Sequence, residues 1–520
     1  MKRHPIGGHI EGSKNTIVWH DWSKDTFKLA QDQDKPVIMM ITAVWCYWCQ
    51  IMKDDSYIDA DVVKFIQENY IPMLVDNDHR PDINFRYNVG GWPTTAVLTP
   101  HGGIIAGATY LTPDQLLSML IEVHAAYVED KPGLYDRARE LFLARQTRSS
   151  RVGIKTVSQN PESSTLTMLL VDSIARMSMG TYDPINGGFG FEPKFPNPAV
   201  LNLMLHLYKV TQEPFYRLIV EKTLNSIATS RMFDELEGGF FRYSKTSDWN
   251  FPQYEKILED NVNLAKIFLD AGQYLKIQNL TDAGVKTLDF ISRDLFDPES
   301  LGFKGSKGAD SSYFELDRQE RTQQDPPDTD LWCYVSSSAR ALGLFVEYSE
   351  ILDATLIDFN VSLDNLVLKL TNSHSFTAIA SDKTPTMLID FGEVINTLVV
   401  TQQNQNSLCK DYSLSIQSLI TAAIDTLYDH NSGGFYDTSK TEDSIGYLTI
   451  KEKPLPDNLS IIRAIIRYCD CYQDFQYLPL IEQTLLAFLD VYQEYGEHSA
   501  EYGYLIALYL ELKTSSNTAN

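Results

Sequence analysis

The sequence predicts two folds in series, an α/β unit over roughly the first 130 residues and an all-α part from about residue 165 to the end. Three observations carry this. Up to Tyr127, short apolar and partly β-branched runs alternate with stretches at helical spacing. From Leu166 onward, amphipathic helical stretches follow one another with few strand signals. Between those helices one turn recurs, an Asp followed by Gly at the fourth or fifth position after it and Phe at the sixth. With 520 residues, 43% of them hydrophobic, the chain is too long for one ordinary domain.

In the first part, Ser23 is a candidate N-cap for a helix over Lys24 to Gln31, with Phe27, Leu29 and Ala30 apolar. Pro36 to Ile41 reads as a buried strand, and Ile51, Met52, Tyr57 and Ile58 then resume helical spacing. Asp59 opens a further helical run through Val62, Val63, Phe65 and Ile66, and Ile71 to Asp76 reads as a second buried strand. Gly90 to Pro100 is a turn feeding a strand, His101-Gly102-Gly103 a hairpin turn, Ile104 to Gly107 the returning strand and Pro113 to Tyr127 a closing helix. After a helical piece from Tyr135 to Gln146, the polar runs 147–151 and 158–164 mark a linker. The expected boundaries are 1–130, 131–164 for a connecting helix and linker, and 165–520.

Helices are expected over 165–178, 197–210, 213–230, 258–277, 281–293, 330–349, 351–371, 389–404, 411–428, 457–473, 477–492 and 498–513. The turns begin at Asp183, Asp234, Asp297 and Asp429, spaced 51, 63 and 132 residues apart, as if one copy had lost its signature. In each, Asp suits an Asx-turn, the glycines supply positive φ and Phe fills the wall, so the repeat needs no catalytic role.

Chemistry concentrates at Thr42-Ala43-Val44-Trp45-Cys46-Tyr47-Trp48-Cys49-Gln50. The pair Cys46 and Cys49 falls at a strand-to-helix junction, where free backbone N–H groups and the helix dipole favour a thiolate. Half of a zinc site, or two chemically idle buried cysteines, are the other readings. The first needs four ligands, and no second Cys-x-x-Cys or close His pair is present. A dithiol that cycles to a disulfide is the leading reading. A net charge of −25 argues against a nucleic-acid partner. Six cysteines are too few for a disulfide framework, and neither an apolar leader nor a span of about 20 apolar residues is found. The expectation is a cytoplasmic protein with no membrane partner, metal or cofactor.

The strand, the Trp-Cys-x-x-Cys, the helix, then Gly90-Gly91-Trp92-Pro93 and a Gly-Gly hairpin together resemble the thioredoxin fold. The resemblance implies a cis Pro93 facing the dithiol, with Trp45 and Trp92 positioning an extended substrate. The segments Trp45 to Cys49, Val75 to Ile83, Gly90 to Pro93 and Leu98 to Gly103 further resemble the spermatogenesis-associated thioredoxin-domain family, often labelled YyaL-type. That family usually carries Cys-His-Trp-Cys-His, whereas Tyr47 and Gln50 stand here. Its second part is an (α/α)6 six-hairpin barrel like that of six-hairpin glycosidases and sugar 2-epimerases. Matching segments are Gly187 to Pro196, Gly238 to Ser244, Trp249 through Pro252-Gln253-Tyr254-Glu255-Lys256 to Asp260-Asn261, Gly433 to Thr438, and Lys451-Glu452 to Asp457-Asn458. The expected fold class is therefore an α/β thioredoxin-like domain followed by an all-α (α/α)6 barrel.

Glycosyl transfer needs two carboxylates in different protonation states, and epimerisation needs bases on both faces of a carbon. Candidates for a barrel site are Glu192, Asp248, Glu255, Asp260, Asp310 and Asp457, with Lys194 and Arg242 to hold an anionic or hydroxyl-rich group. Trp249, Tyr254 and Phe195 are candidate stacking surfaces for a sugar. The family's Pro-His-Phe-Glu-Lys-Met reads Pro252-Gln253-Tyr254-Glu255-Lys256-Ile257 here, so a reaction that uses that histidine as a base is closed to this chain. Three functions follow: a thiol–disulfide oxidoreductase with a protein disulfide client, an enzyme acting on a carbohydrate-like small molecule in the barrel, or a non-catalytic binder. The retained dithiol and Pro93 favour the first.

Overall fold

The structure, a computed structural model, describes residues 16–153, 165–351, 359–371, 386–404, 410–439 and 443–519. Two compact units divide them: the first takes the described residues up to Ser150 together with 443–451, and the second takes the rest.

The first unit is the thioredoxin-like one. It runs α1 (Lys24–Asp32), β1 (Val37–Thr42), α2 (Tyr47–Asp54), α3 (Ala60–Asn69), β2 (Ile71–Asp76), α4 (Pro81–Tyr87), β3 (Thr94–Leu98), β4 (Ile104–Ala108), α5 (Pro113–Glu129) and α6 (Lys131–Ser149). Ser23 caps α1, its Oγ accepting the Thr26 N–H at 3.2 Å. The sheet order is β2-β1-β3-β4, parallel at β1–β2 and antiparallel at the other two pairs. Every residue of β1 is buried, as its unbroken apolar run requires of a central strand covered on both faces. α6 extends three residues past the expected Gln146, because Arg145 donates to the carbonyls of Phe85 and Arg86 and Thr147 Oγ bonds back to Leu143 O.

Residues 443–451 complete this core from far along the chain. Arg86 Nη2 donates to Ile450 O at 3.0 Å across 364 positions of sequence. The Tyr87 hydroxyl accepts the Tyr447 N–H and donates to Gly102 O, both at 2.8 Å, while the two tyrosine rings stack at 5.1 Å. Tyr447, Leu448 and Ile450 are buried among Trp22, Phe27, Val37 and Leu98. No local signal in the sequence marks this excursion.

The second unit is all-α. Its helices are α7 (Met168–Met179), α8 (Pro198–Thr211), α9 (Pro214–Ala228), α10 (Leu258–Leu275), α11 (Gln278–Phe290), the single turns α12 (Ser311–Phe314) and α13 (Arg318–Arg321), α14 (Val335–Glu347), α15 (Phe359–Thr371), α16 (Leu388–Gln403), α17 (Ser413–Leu427), α18 (Leu455–Tyr472), α19 (Leu478–Ala487) and α20 (His498–Ala519). α8, α10, α14, α16, α18 and α20 each pack on the next and α20 returns to α8, which closes an inner ring of six; α7, α9, α11, α15, α17 and α19 lie outside it. This is the (α/α)6 barrel. Two expected helices are shorter than their patterns. Residues 330–334 are extended, with Gly305 N bonded to Trp332 O and Asp330 N to Ser306 O, so α14 starts at Val335. After Ala487, bonds to the third residue back replace helical ones at Phe488, Leu489 and Val491.

The recurring turn staples inner helices to the wall. Asp183 Oδ1 accepts the N–H groups of Ile185 and Asn186, and Asp234 Oδ1 those of Leu236 and Glu237, as Asx-turns require. The other oxygen takes a buried lysine: Lys194 on Asp183 at 2.6 Å, Lys256 on Asp234 at 2.7 Å and Lys453 on Asp429 at 2.8 Å. Five residues after Lys256 and Lys453, Asn261 and Asn458 clamp the backbone of Phe240 and Phe435, each accepting the N–H and donating to the C=O. In the third copy Cys333 and Ser338 replace Lys and Asn, with Ser300 Oγ donating to Cys333 Sγ and Ser338 Oγ clamping Phe303. Gly239 has φ +83°, and a Cβ there meets the Phe290 ring at 2.7 Å. Residues 372–385, between Asp297 and Asp429, lie outside the described residues, as does the polar run 158–164.

Candidate functional site

β1 delivers the chain to Cys46, which is the N-cap of α2. Its sulfur accepts the Cys49 backbone N–H at 3.2 Å, and its carbonyl accepts that of Gln50. Sequence places a sulfur where Ser or Asp commonly caps a helix, so the dipole and an N–H both favour a negative charge there. Both cysteines are buried and both are free thiols. Burial pushes the Cys49 thiol up, but hydrogen bonds with Cys46, Ala43 and Thr42 and the charge of Lys53 together bring it below the usual thiol value.

Two tryptophans frame the pair. Trp45 Nε1 donates to Asp78 Oδ2 at 2.9 Å and Trp92 Nε1 to Asn84 Oδ1 at 3.1 Å, with the rings edge to face at 5.5 Å. The Trp92–Pro93 bond is cis. Tyr47 and Trp48 are exposed, in contact with each other, and Trp48 also meets Tyr110 at 5.1 Å. Sequence reading missed Asp76. It ends β2, level with Thr42 in the parallel register, and is buried. Burial holds its carboxyl up at about 6, against the amides of Asp78 and His79 and the charge of Lys53. Strand pairing was the available signal, since Thr42 and Asp76 each end a six-residue strand that is apolar up to that point.

The barrel candidates scatter. Glu192 is exposed and accepts the Ser247 N–H at 3.3 Å. Lys194 is wholly buried, its ammonium shared by Asp183 and Ser247 O. Asp248 is exposed in a turn, bonded to Thr246 and Asn250, which lower its carboxyl pKa. Asp310 caps α12. Asp457 lies in the first turn of α18, where Asp260 lies in α10. The Arg242 N–H donates to Glu255 O at 3.0 Å, and the charges of both side chains reach Asp260: burial raises Asp260 to about 7, Arg242 opposes this, and Glu259, Glu497 and Glu255 add to it. Trp249 and Tyr254 are buried rather than open to a sugar, Trp249 under the Lys194 ammonium and Tyr254 against Phe241 and Phe314, while Phe195 stacks on Tyr243.

The inner helices carry a belt of charge absent from those candidates. Arg340 on α14 pairs with Glu259 on α10 and, at 2.7 Å, with Glu393 on α16. Arg463 on α18 lies 3.6 Å from Glu393 and pairs with Glu501 on α20. Burial raises Glu393, but the two guanidiniums and Ser460 outweigh it and hold the carboxyl down at about 2. Among the described residues no group of three His, Cys, Asp or Glu is placed to hold a metal ion, and no helix is long and apolar enough to cross a membrane.

Residues 10–145 match a family described as Thioredox_DsbH, protein of unknown function, DUF255. Spermatogenesis-associated protein 20 of Rattus norvegicus is 26% identical over 320 residues, which is 58% of this chain and 40% of that protein. The Homo sapiens protein of the same name is 25% identical over 320 residues, with the same coverage of 58% and 40%. The match thus spans about two fifths of the length of these relatives. A crystal structure of D-mannose isomerase aligns over 70% of this chain and 100% of its own at 8% identity and a TM-score of 0.50, a likeness of fold. The chain is thus similar to spermatogenesis-associated protein 20 over 58% of its length, and it combines a thioredoxin-like region with an (α/α)6 barrel after it.

Proposed function

We propose that the first unit is a thiol–disulfide oxidoreductase acting on a disulfide-bearing protein client. The Cys46 thiolate attacks one sulfur of the client disulfide, forming a mixed disulfide and expelling the other sulfur as a thiolate that takes up a proton. Cys49, deprotonated, then attacks the Cys46 sulfur, closes the Cys46–Cys49 disulfide and releases the second client thiol. Two electrons pass from dithiol to client, and a low-molecular-weight or protein dithiol restores the starting state. The observation that carries this reading is the Cys46 sulfur at the N-cap of α2, accepting the Cys49 N–H. Asp76, buried at the end of β2 opposite Thr42, the residue that hydrogen-bonds Cys49, supports it as a proton store. Trp92 and Pro93 suit the pairing of an extended client segment beside the sulfurs.

Trapping tests the reading. Cys49→Ser leaves the attacking thiol without its resolving partner, so clients accumulate as mixed disulfides that dithiothreitol releases. Cys46→Ser/Cys49→Ser traps none. Equal capture by both variants would sink the proposal.

A further inference from the structure

Thr42 ends β1 with a hydroxyl that no structural bond uses. Its Oγ1 is buried, and no nitrogen or oxygen of the described residues bonds it. The group it acts on is the Cys49 sulfur, which it helps to hold below the usual thiol value. Valine has the same shape and would fill this place without leaving a buried hydroxyl so poorly satisfied. On its other side Thr42 pairs with Asp76 in the parallel register, and registered partners on strands about 4.8 Å apart direct their side chains to one face. Both backbone donors to that buried carboxyl, Asp78 and His79, reach Oδ1, at 2.9 and 3.3 Å, which leaves Oδ2 to hold a proton. The other titratable groups around the pair are Cys46, Lys53, Asp78 and Tyr57. The Lys53 charge lowers both Cys49 and Asp76. Asp78 is engaged by Trp45 and Asn77, and burial keeps Tyr57 neutral with its hydroxyl on Thr95.

We propose that the Thr42 hydroxyl relays the Cys49 proton to Asp76 when Cys49 resolves the mixed disulfide. A hydroxyl accepts and donates at one atom, so it can take the thiol proton while passing its own to Asp76 Oδ2. The carboxylate becomes a carboxylic acid, the hydroxyl is regenerated, and its new proton points back at the thiolate, the donor arrangement that favours the charged sulfur. The Cys49 electron pair then forms the bond to the Cys46 sulfur, and the client sulfur leaves with the pair of the broken bond. Asp76 returns its proton to solvent once the disulfide has closed. This inference rests on the dithiol reading and assigns it the route by which the resolving thiol is activated.

Stopped-flow reaction of the reduced full chain with the chromogenic disulfide dithiobis(nitrobenzoate) separates the two steps. Attack by Cys46 releases one coloured thiolate and closure by Cys49 releases the second, while Cys46→Ser/Cys49→Ser gives the background of the other cysteines. At pH 7 Thr42→Val is expected to slow the second release at least about tenfold relative to the first, with the melting temperature preserved or raised. Thr42→Ser, which keeps the hydroxyl, is expected to stay within about threefold of the parent. Asp76→Asn should slow the second release by a similar factor, and Thr42→Val/Asp76→Asn by no more than either alone. Against pH, the parent's second release should rise through about 6 and level off, whereas that of Thr42→Val should keep rising toward about 8 as the thiol itself ionises. The relay is overturned, with the dithiol reading intact, if Thr42→Val keeps the parent's second rate and pH profile. It is equally overturned if Thr42→Ser is as slow as Thr42→Val, which makes the loss one of packing, or if the losses of Thr42→Val and Asp76→Asn multiply. A parent that shows no second release overturns both.

Discussion

At Cys46 one atom serves a structural and a chemical purpose. The sulfur caps α2, and the N–H it accepts is the Cys49 donor, so the two thiols are joined through the backbone before any disulfide forms. Asp76 adds a pH-dependent element. Its folded carboxyl, at about 6, lies above the ordinary carboxylate value, so ionisation is costlier in the folded state. The resulting penalty is absent below pH 4, grows between about pH 4 and 6 and is fully present above 6. Asp76→Asn, whose amide oxygen can still accept the Asp78 and His79 N–H groups, is expected to stabilise the first unit at pH 7.5 by on the order of 1–3 kcal/mol and by almost nothing at pH 4. Urea midpoints at the two pH values check this, and an equal effect at both would show that the Asp76 carboxyl is not raised by folding.

Among elements, the stapled turns show how far local pattern reached. Their Asp, Gly and Phe were legible because Asx-turns and positive φ have local signatures. Their buried lysines were not, since Lys194 had suggested a ligand contact and instead neutralises Asp183. Lys194→Met leaves that carboxylate, 6% exposed, without its cation and is expected to cost about 3 kcal/mol. Lys194→Met/Asp183→Asn should recover most of the loss in the same thermal denaturation assay. Additive losses would contradict the pairing. The excursion at 443–451 makes a second element-scale case. Tyr447 is buried and stacked on Tyr87, so Tyr447→Ala is expected to destabilise the first unit by about 3–5 kcal/mol and to speed hydrogen exchange in β1 and β3. Exchange unchanged in those strands would show that the excursion is dispensable. Tyr447 meets Tyr87 across 360 positions, a separation that no sequence period marks.

For the whole molecule, fold class was legible and the barrel's interior was not. Repeating turns and helical spacing pointed to paired helices, and the resemblance to six-hairpin barrels pointed to their closure into a ring, which the packing of the inner helices shows. The belt escaped because its partners, Glu259 and Arg340 or Arg340 and Glu393, lie 81 and 53 positions apart with nothing local to join them. Charge on the inner helices also shapes the pH response. Glu393, held at about 2, contributes stability that is complete above its ordinary value near 4.5 and is lost as pH falls toward 2. Asp260 and Asp390, both raised to about 7 chiefly by burial, impose a penalty that grows from about pH 4 to 7. The full chain is therefore expected to be most stable in acidic solution, at about pH 4, with Asp260→Asn flattening the decline toward neutrality in a pH series of melting temperatures. The central claim rests on Cys46 as the attacking sulfur. Its most direct test is the rate of client disulfide reduction by the full chain under a dithiol reductant, compared with Cys46→Ser. The account predicts that the variant loses more than about 100-fold of the rate; a variant as fast as the parent would contradict it.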